Sequence, residues 1–149
     1  MHIYGGSEMV RKLPRPKVLQ GITVKTRCGC GDIYLTINTL EDSLFEVFVR
    51  TGHSGLCLFA QNEAIGRLIS LALRSGVPAE EIVRQLKNIR CPKPLLTPEG
   101  TITSCADAIA KTIEAFLDRR VRPEPDEHQS RLHITDSPTK EARDDHGAL

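Results

Sequence analysis

The apolar residues of this 149-residue chain change their period near the middle, and that change limits the folds open to it. Up to Val49 the spacing is two. Ile33, Leu35 and Ile37 alternate with Tyr34, Thr36 and Asn38, and Phe45, Val47 and Val49 alternate with Glu46 and Phe48. Strict alternation is the pattern of strands with one buried face, and the joint Thr39-Leu40-Glu41-Asp42-Ser43 is turn-like, so the two runs form an antiparallel hairpin. An earlier strand near Ile22 to Thr26 reaches the Cys28-Gly29-Cys30-Gly31 turn and completes a small meander. One face of that meander still needs a cover.

Beyond Phe59 the spacing becomes helical. Ala64, Ile65, Leu68, Ile69, Ala72 and Leu73 mark a first helix, and Gly76 stands where a left-handed cap would end it. Pro78 suits a first helical position, Glu80 and Glu81 complement the positive end of the dipole, and Ile82, Val83 and Leu86 give a short second helix its buried face, ending near Asn88. The stretch from Cys91 to Gly100 holds Pro92, Pro94 and Pro98, which remove donors and restrict their predecessors, so it reads as a loop. Ser104 then resembles an N-cap with Asp107 in the place of the capping-box acid, and Ile109, Ile113, Phe116 and Leu117 form a third stripe. The expected class is α+β: a small antiparallel β-meander packed against about three helices.

The ends differ from this body. Residues 1–17 form a polar, basic arm with Arg11, Lys12, Arg15 and Lys17 among prolines, residues 18–120 form the folded domain, and residues 121–149 have the composition of a disordered polar tail. Three of the five histidines, His128, His133 and His146, fall in that tail. No stretch approaches the ~20 apolar residues needed to span a bilayer and no basic leader opens the chain, so a cytoplasmic protein without a membrane partner is expected. Tryptophan is absent and Phe and Tyr are few, which gives nucleobase stacking little to work with. Arg67, Arg74 and Arg84 on the helices could form an anion-binding surface, although a solvated face is the simpler account, and Glu63 can pair with Arg67 across one turn.

The five cysteines sit at chain reversals and element ends: Cys28-Gly29-Cys30-Gly31, Gly55-Leu56-Cys57, Arg90-Cys91-Pro92 and Ser104-Cys105-Ala106. In a reducing compartment such thiols serve metal binding, catalysis or packing sooner than disulfides, and their number is odd. The spacing contains no pair of Cys-x-x-Cys knuckles, so a metal site, buried thiols and redox chemistry all remain open on the residues alone. Cys105, at a helix start, is the thiol most disposed to ionise. A catalytic thiol, whether Cys28, Cys30 or Cys105, needs a base, and within the body only His53 offers one. A Cys28–Cys30 redox pair would close a strained small ring.

The chain resembles the domain named for a Thr-Ser-Cys-Pro-Asp signature, the TSCPD domain, found at the C-terminus of adenosylcobalamin-dependent (class II) ribonucleotide reductases. The resemblance runs from about Leu19 to Leu117 through Ile33-Tyr34-Leu35-Thr36-Ile37-Asn38, Glu63-Ala64-Ile65-Gly66-Arg67-Leu68-Ile69-Ser70, Ile89-Arg90-Cys91-Pro92 and Ser104-Cys105-Ala106-Asp107. It implies a structural zinc held by Cys30, Cys57, Cys91 and Cys105, with Cys28 an extra cysteine where a Thr is expected; Ala106 replaces the signature proline and Leu56 a glycine. It further implies an accessory domain or small subunit beside a large reductase subunit, which alone would carry the adenosylcobalamin and the ribonucleotide chemistry needed for DNA-precursor supply. The alternative is a zinc-stabilised module making weak nucleic-acid or nucleotide contact, suggested by the basic arm and a body whose basic residues modestly exceed its acidic ones.

Overall fold

The computed structural model describes residues 11–52 and 57–118. Residues 1–10 of the basic arm, His53 and all of the polar tail therefore lie outside the described residues. Strands β1 (Gln20–Cys28), β2 (Gly31–Leu40) and β3 (Ser43–Thr51) form an antiparallel sheet in that order, the expected meander. Gly29 and Cys30 make the turn at one end. Glu41 and Asp42 make the turn at the other, with φ of 50° and 62°, the doubly left-handed arrangement whose twist suits a two-residue hairpin.

Alternation sorts the sheet as read from the sequence. Ile33, Leu35, Ile37 and Val47 are fully buried on one face, where Ile109 and Ile113 of α3 (Cys105–Leu117) and Ile82 and Val83 of α2 (Ala79–Leu86) complete the core. Burying each such side chain contributes about 2 kcal/mol to folding.

Helix α1 (Cys57–Arg74) lies along the open edge of β3. Its Ser70 hydroxyl donates to the Val47 carbonyl and accepts from the Val47 N–H, both at 3.0 Å, taking the place of a fourth strand at that residue. One turn earlier Gly66 lets the helix touch the strand: a Cβ there would stand 3.2 Å from the Val49 nitrogen and 3.3 Å from the Val47 carbonyl oxygen. Gly76, at φ 88°, ends α1 with the expected left-handed cap; Val77 N–H reaches Ala72 O and Gly76 N–H reaches Leu73 O. Pro78 stands at the N-cap of α2, one position earlier than expected.

The proline-rich stretch departs from its reading as a loop. Leu95–Thr97 (β4) pairs with Gly100–Ile102 (β5) in a short hairpin. The prolines are compatible with it because Pro92 and Pro94 precede the first strand and Pro98 lies in the turn, so no ladder donor is lost. Thr97 Oγ1 donates to Gly100 O at 2.7 Å, and Gly100 takes φ 131°.

Candidate metal centre

The β1–β2 turn and the start of α3 bring three thiols together. Cys28, Cys30 and Cys105 place their sulfurs within 4.8 Å of one another, with Cys28 Sγ 3.2 Å from Cys105 Sγ. Sulfurs bound to one zinc at ~2.3 Å stand about 3.8 Å apart, so the trio has the spread of a thiolate metal site. Cys28 was the thiol set aside by the family pattern. Its signal was present in the alternation, since Ile22, Val24, Thr26 and Cys28 follow one another on the inward face of β1, and Cys28 is buried.

Backbone donors are aimed at these sulfurs. Cys30 N–H points to Cys28 Sγ at 3.4 Å, and in the 91–93 turn Lys93 N–H points to Cys91 Sγ at 3.4 Å. The two turns are stacked: a Cβ on Gly29 would lie 1.8 Å from the Lys93 carbonyl oxygen, so only glycine lets the Cys91 loop close on the Cys28–Cys30 turn. Cys91 N–H is also tied to Thr103 O at 2.9 Å, two residues before Cys105. Cys91 is nevertheless outside the group of three, as is Cys57, the exposed first residue of α1.

The start of α3 is held rigidly. Ser104 Oγ accepts from Asp107 N–H at 3.1 Å, the expected cap. The fully buried Asp107 carboxylate accepts from Asn88 N–H at 2.8 Å, Thr103 N–H at 2.9 Å and Lys111 Nζ at 2.8 Å. Burial alone would raise its pKa, but the Lys111 ammonium and the two amides outweigh that and hold it below the usual carboxylate value. Asp107 thus welds the end of α2, the strand β5 exit and the first turn of α3, and so positions Cys105.

Cys105 corrects an expectation. Its place at a helix start suggested a lowered pKa, yet the thiol is pushed well above its usual value, first by burial and then by hydrogen bonding and repulsion from Cys28 and Cys30. Three thiols this close cannot ionise together without a counter-charge. A bound dication provides one, which makes the cluster a better metal ligand set than a nucleophile. The proposed base His53 lies outside the described residues. One polar group in α1 was not singled out from sequence: Asn62 is 1% exposed and neither its Nδ2 nor its Oδ1 has a hydrogen-bond partner among the described residues.

The sequence profile of the TSCPD domain matches residues 7–117. The chain belongs to the TSCPD domain family. The chain spans about a fifth or less of the length of the curated relatives it matches. A vitamin B12-dependent ribonucleotide reductase of Streptantibioticus cattleyicolor is 29% identical over 89% of this chain and 22% of its own length. The vitamin B12-dependent ribonucleotide reductase of Streptomyces avermitilis is 30% identical over 71% of this chain and 11% of its own length, and that of Streptomyces clavuligerus 34% over 50% and 8%. No solved structure matches the TSCPD chain. Among the described residues no helix is long and apolar enough to cross a membrane.

Proposed function

We propose that this TSCPD domain is a zinc-stabilised accessory module of adenosylcobalamin-dependent ribonucleotide reduction, not itself the seat of the chemistry. The observation that carries the metal part is the trio Cys28, Cys30 and Cys105 at the signature motif. Cys30 and Cys105 are supported by both geometry and family pattern. Cys91 follows because its loop rests on the Gly29 turn and its own amide is anchored beside Cys105. The last place lies between Cys57, from the family pattern, and Cys28, from proximity. Four thiolates would close the tetrahedron and leave no position for a reactive water, so the zinc would fasten the β1–β2 turn, the 91–94 loop and α3 together and do no catalysis.

The reductase part rests on the named relatives, whose shared segment is this domain. The adenosylcobalamin would belong to the partner catalytic subunit.

Zinc content of the purified chain and of five single Cys→Ser variants tests the site. One zinc per chain, lost in Cys30→Ser, Cys91→Ser and Cys105→Ser and in one of Cys57→Ser and Cys28→Ser, is expected. Full zinc retention in Cys30→Ser and Cys105→Ser would sink it. Co-purification with a B12-dependent reductase chain lacking its own TSCPD segment tests the association, and absence of a complex at micromolar concentrations would refute it.

A further inference from the structure

We infer that the outward face of the three-stranded sheet, where Lys25, Phe48 and Arg50 are exposed around Tyr34, is a binding platform for single-stranded nucleic acid. The inference stands apart from the metal centre, since it uses the other face of the sheet.

Alternation that buries Leu35 and Val47 sends their neighbours outward, and the register lines those neighbours up across the strands. Thr23, Thr36 and Phe48 form one row, and Lys25, Tyr34 and Arg50 the next. Tyr34 and Phe48 are therefore diagonal neighbours on adjacent strands, a spacing of about 7–8 Å that permits flat groups to lie over both. Phe48 is 43% exposed, an unusual cost for a large ring with a buried face so near. Few aromatics in the whole chain argued against stacking; their placement reverses that argument.

Cations border these rings. On the sheet, Lys25 lies 5.9 Å from the Tyr34 ring centre and Arg50 5.9 Å from that of Phe59. Along the groove between β3 and α1, Lys12, Arg15, Arg67 and Arg74 continue the basic lining beside the exposed Leu68 and Leu71. The carboxylates of this surface are already engaged: Glu46 with Arg15, Glu63 with Arg67, and Asp32 with Lys25 and Arg27. The remaining positive excess complements a polyanion.

A polyanion with accessible flat faces is a single-stranded nucleic acid. In a duplex the bases hide those faces, a free nucleotide would use one ring and few of the cations, and an acidic polypeptide would leave Tyr34 and Phe48 unused. Stacking on aromatics beside a basic groove is the general means of holding single strands without sequence preference.

Fluorescence anisotropy of the full chain with a labelled 20-mer of deoxythymidylate decides the matter. Binding is expected to weaken with added salt, and Phe48→Ala and Tyr34→Ala are each expected to weaken it about 10-fold. Arg50→Gln should lower the slope of log affinity against log salt by about 0.7, while Leu96→Ala, on the separate β4–β5 hairpin, should change nothing. Circular dichroism identifies any variant that fails to fold, and Arg50→Gln, at an exposed position whose contact is with the Phe59 ring, then carries the test. The inference is overturned by no binding at low salt, by equal affinity for the duplex 20-mer or polyglutamate, or by folded Phe48→Ala and Tyr34→Ala proteins that bind as tightly as the parent.

Discussion

Two carboxylates are buried among the described residues, and they are neutralised in different ways. Asp107 draws its partners from residues 88, 103 and 111, around the first turn of its own helix. Glu46, 2% exposed in the middle of β3, takes a bidentate contact from Arg15, 31 residues earlier, at 2.8–3.1 Å, and an amide from Asn38 at 2.8 Å. The first is a local clamp that sets a helix start and the cysteine on it. The second tethers a chain segment to the sheet. A buried charge is tolerated in both places because hydrogen-bond donors replace its water, but only the first arrangement couples directly to the metal centre.

The largest effect should come from Asp107→Ala. Three donors, one of them charged, lose their acceptor in the interior, and a loss of about 3 kcal/mol or more is expected in urea unfolding, with weakened zinc retention. Glu46→Gln should cost less, about 2 kcal/mol at pH 7, and leave zinc content unchanged. Equal losses, or loss of zinc from Glu46→Gln, would erase the distinction between clamp and tether.

Acid titration sharpens it further. Burial would raise the Glu46 pKa, but the hydrogen bonds from Arg15 and Asn38 and the charges of Arg15 and Arg74 hold it below the ordinary value of 4.5. A carboxylate whose folded pKa is depressed contributes stability that is present above 4.5 and disappears as pH falls through the folded value. The stability gap between the parent and Glu46→Gln should therefore be constant from pH 7 to 5 and narrow below about 4.5. A gap that widens on acidification would show that Glu46 is not held as an anion.

Asn62 supplies the contrast to both carboxylates, being buried with no hydrogen-bond partner among the described residues. Asn62→Leu keeps the number and branching of the side-chain heavy atoms and removes two unsatisfied groups, so a gain of about 1 kcal/mol is expected. The smallest effect belongs to the cap beside Asp107: Ser104→Ala loses one hydrogen bond to the Asp107 amide and should cost about 1 kcal/mol or slightly less. A Ser104→Ala loss matching that of Asp107→Ala would mean that the cap, and not the buried carboxylate, holds Cys105 in place.

Much of this was legible in the residue order. The alternation of Ile33, Leu35 and Ile37 located β2 and its buried face, Gly76 marked the end of α1, and Ser104 with Asp107 marked the start of α3, all borne out in the fold. The β4–β5 hairpin was not legible, because prolines at its borders resemble prolines within it until the register is known. Asp107 was read as a capping acid, but its grip on Asn88 comes from α2 folding back against α3. The Arg15–Glu46 tether left no trace in sequence, since nothing in either residue specifies a partner 31 positions away.

The sequence by itself determined the three strands of the meander and the three helices, which face of each is buried, and that the thiols fall at element ends. These depend on neighbours within a few positions, where steric preference and hydrophobic period act. Only the tertiary structure decided that Cys28 and Cys105, 77 residues apart, would meet at 3.2 Å. Alternation turns Cys28 inward without naming what lies opposite; packing of α3 across the sheet, fixed by Asp107 and by the glycine that admits the 91–94 loop, supplies the partner.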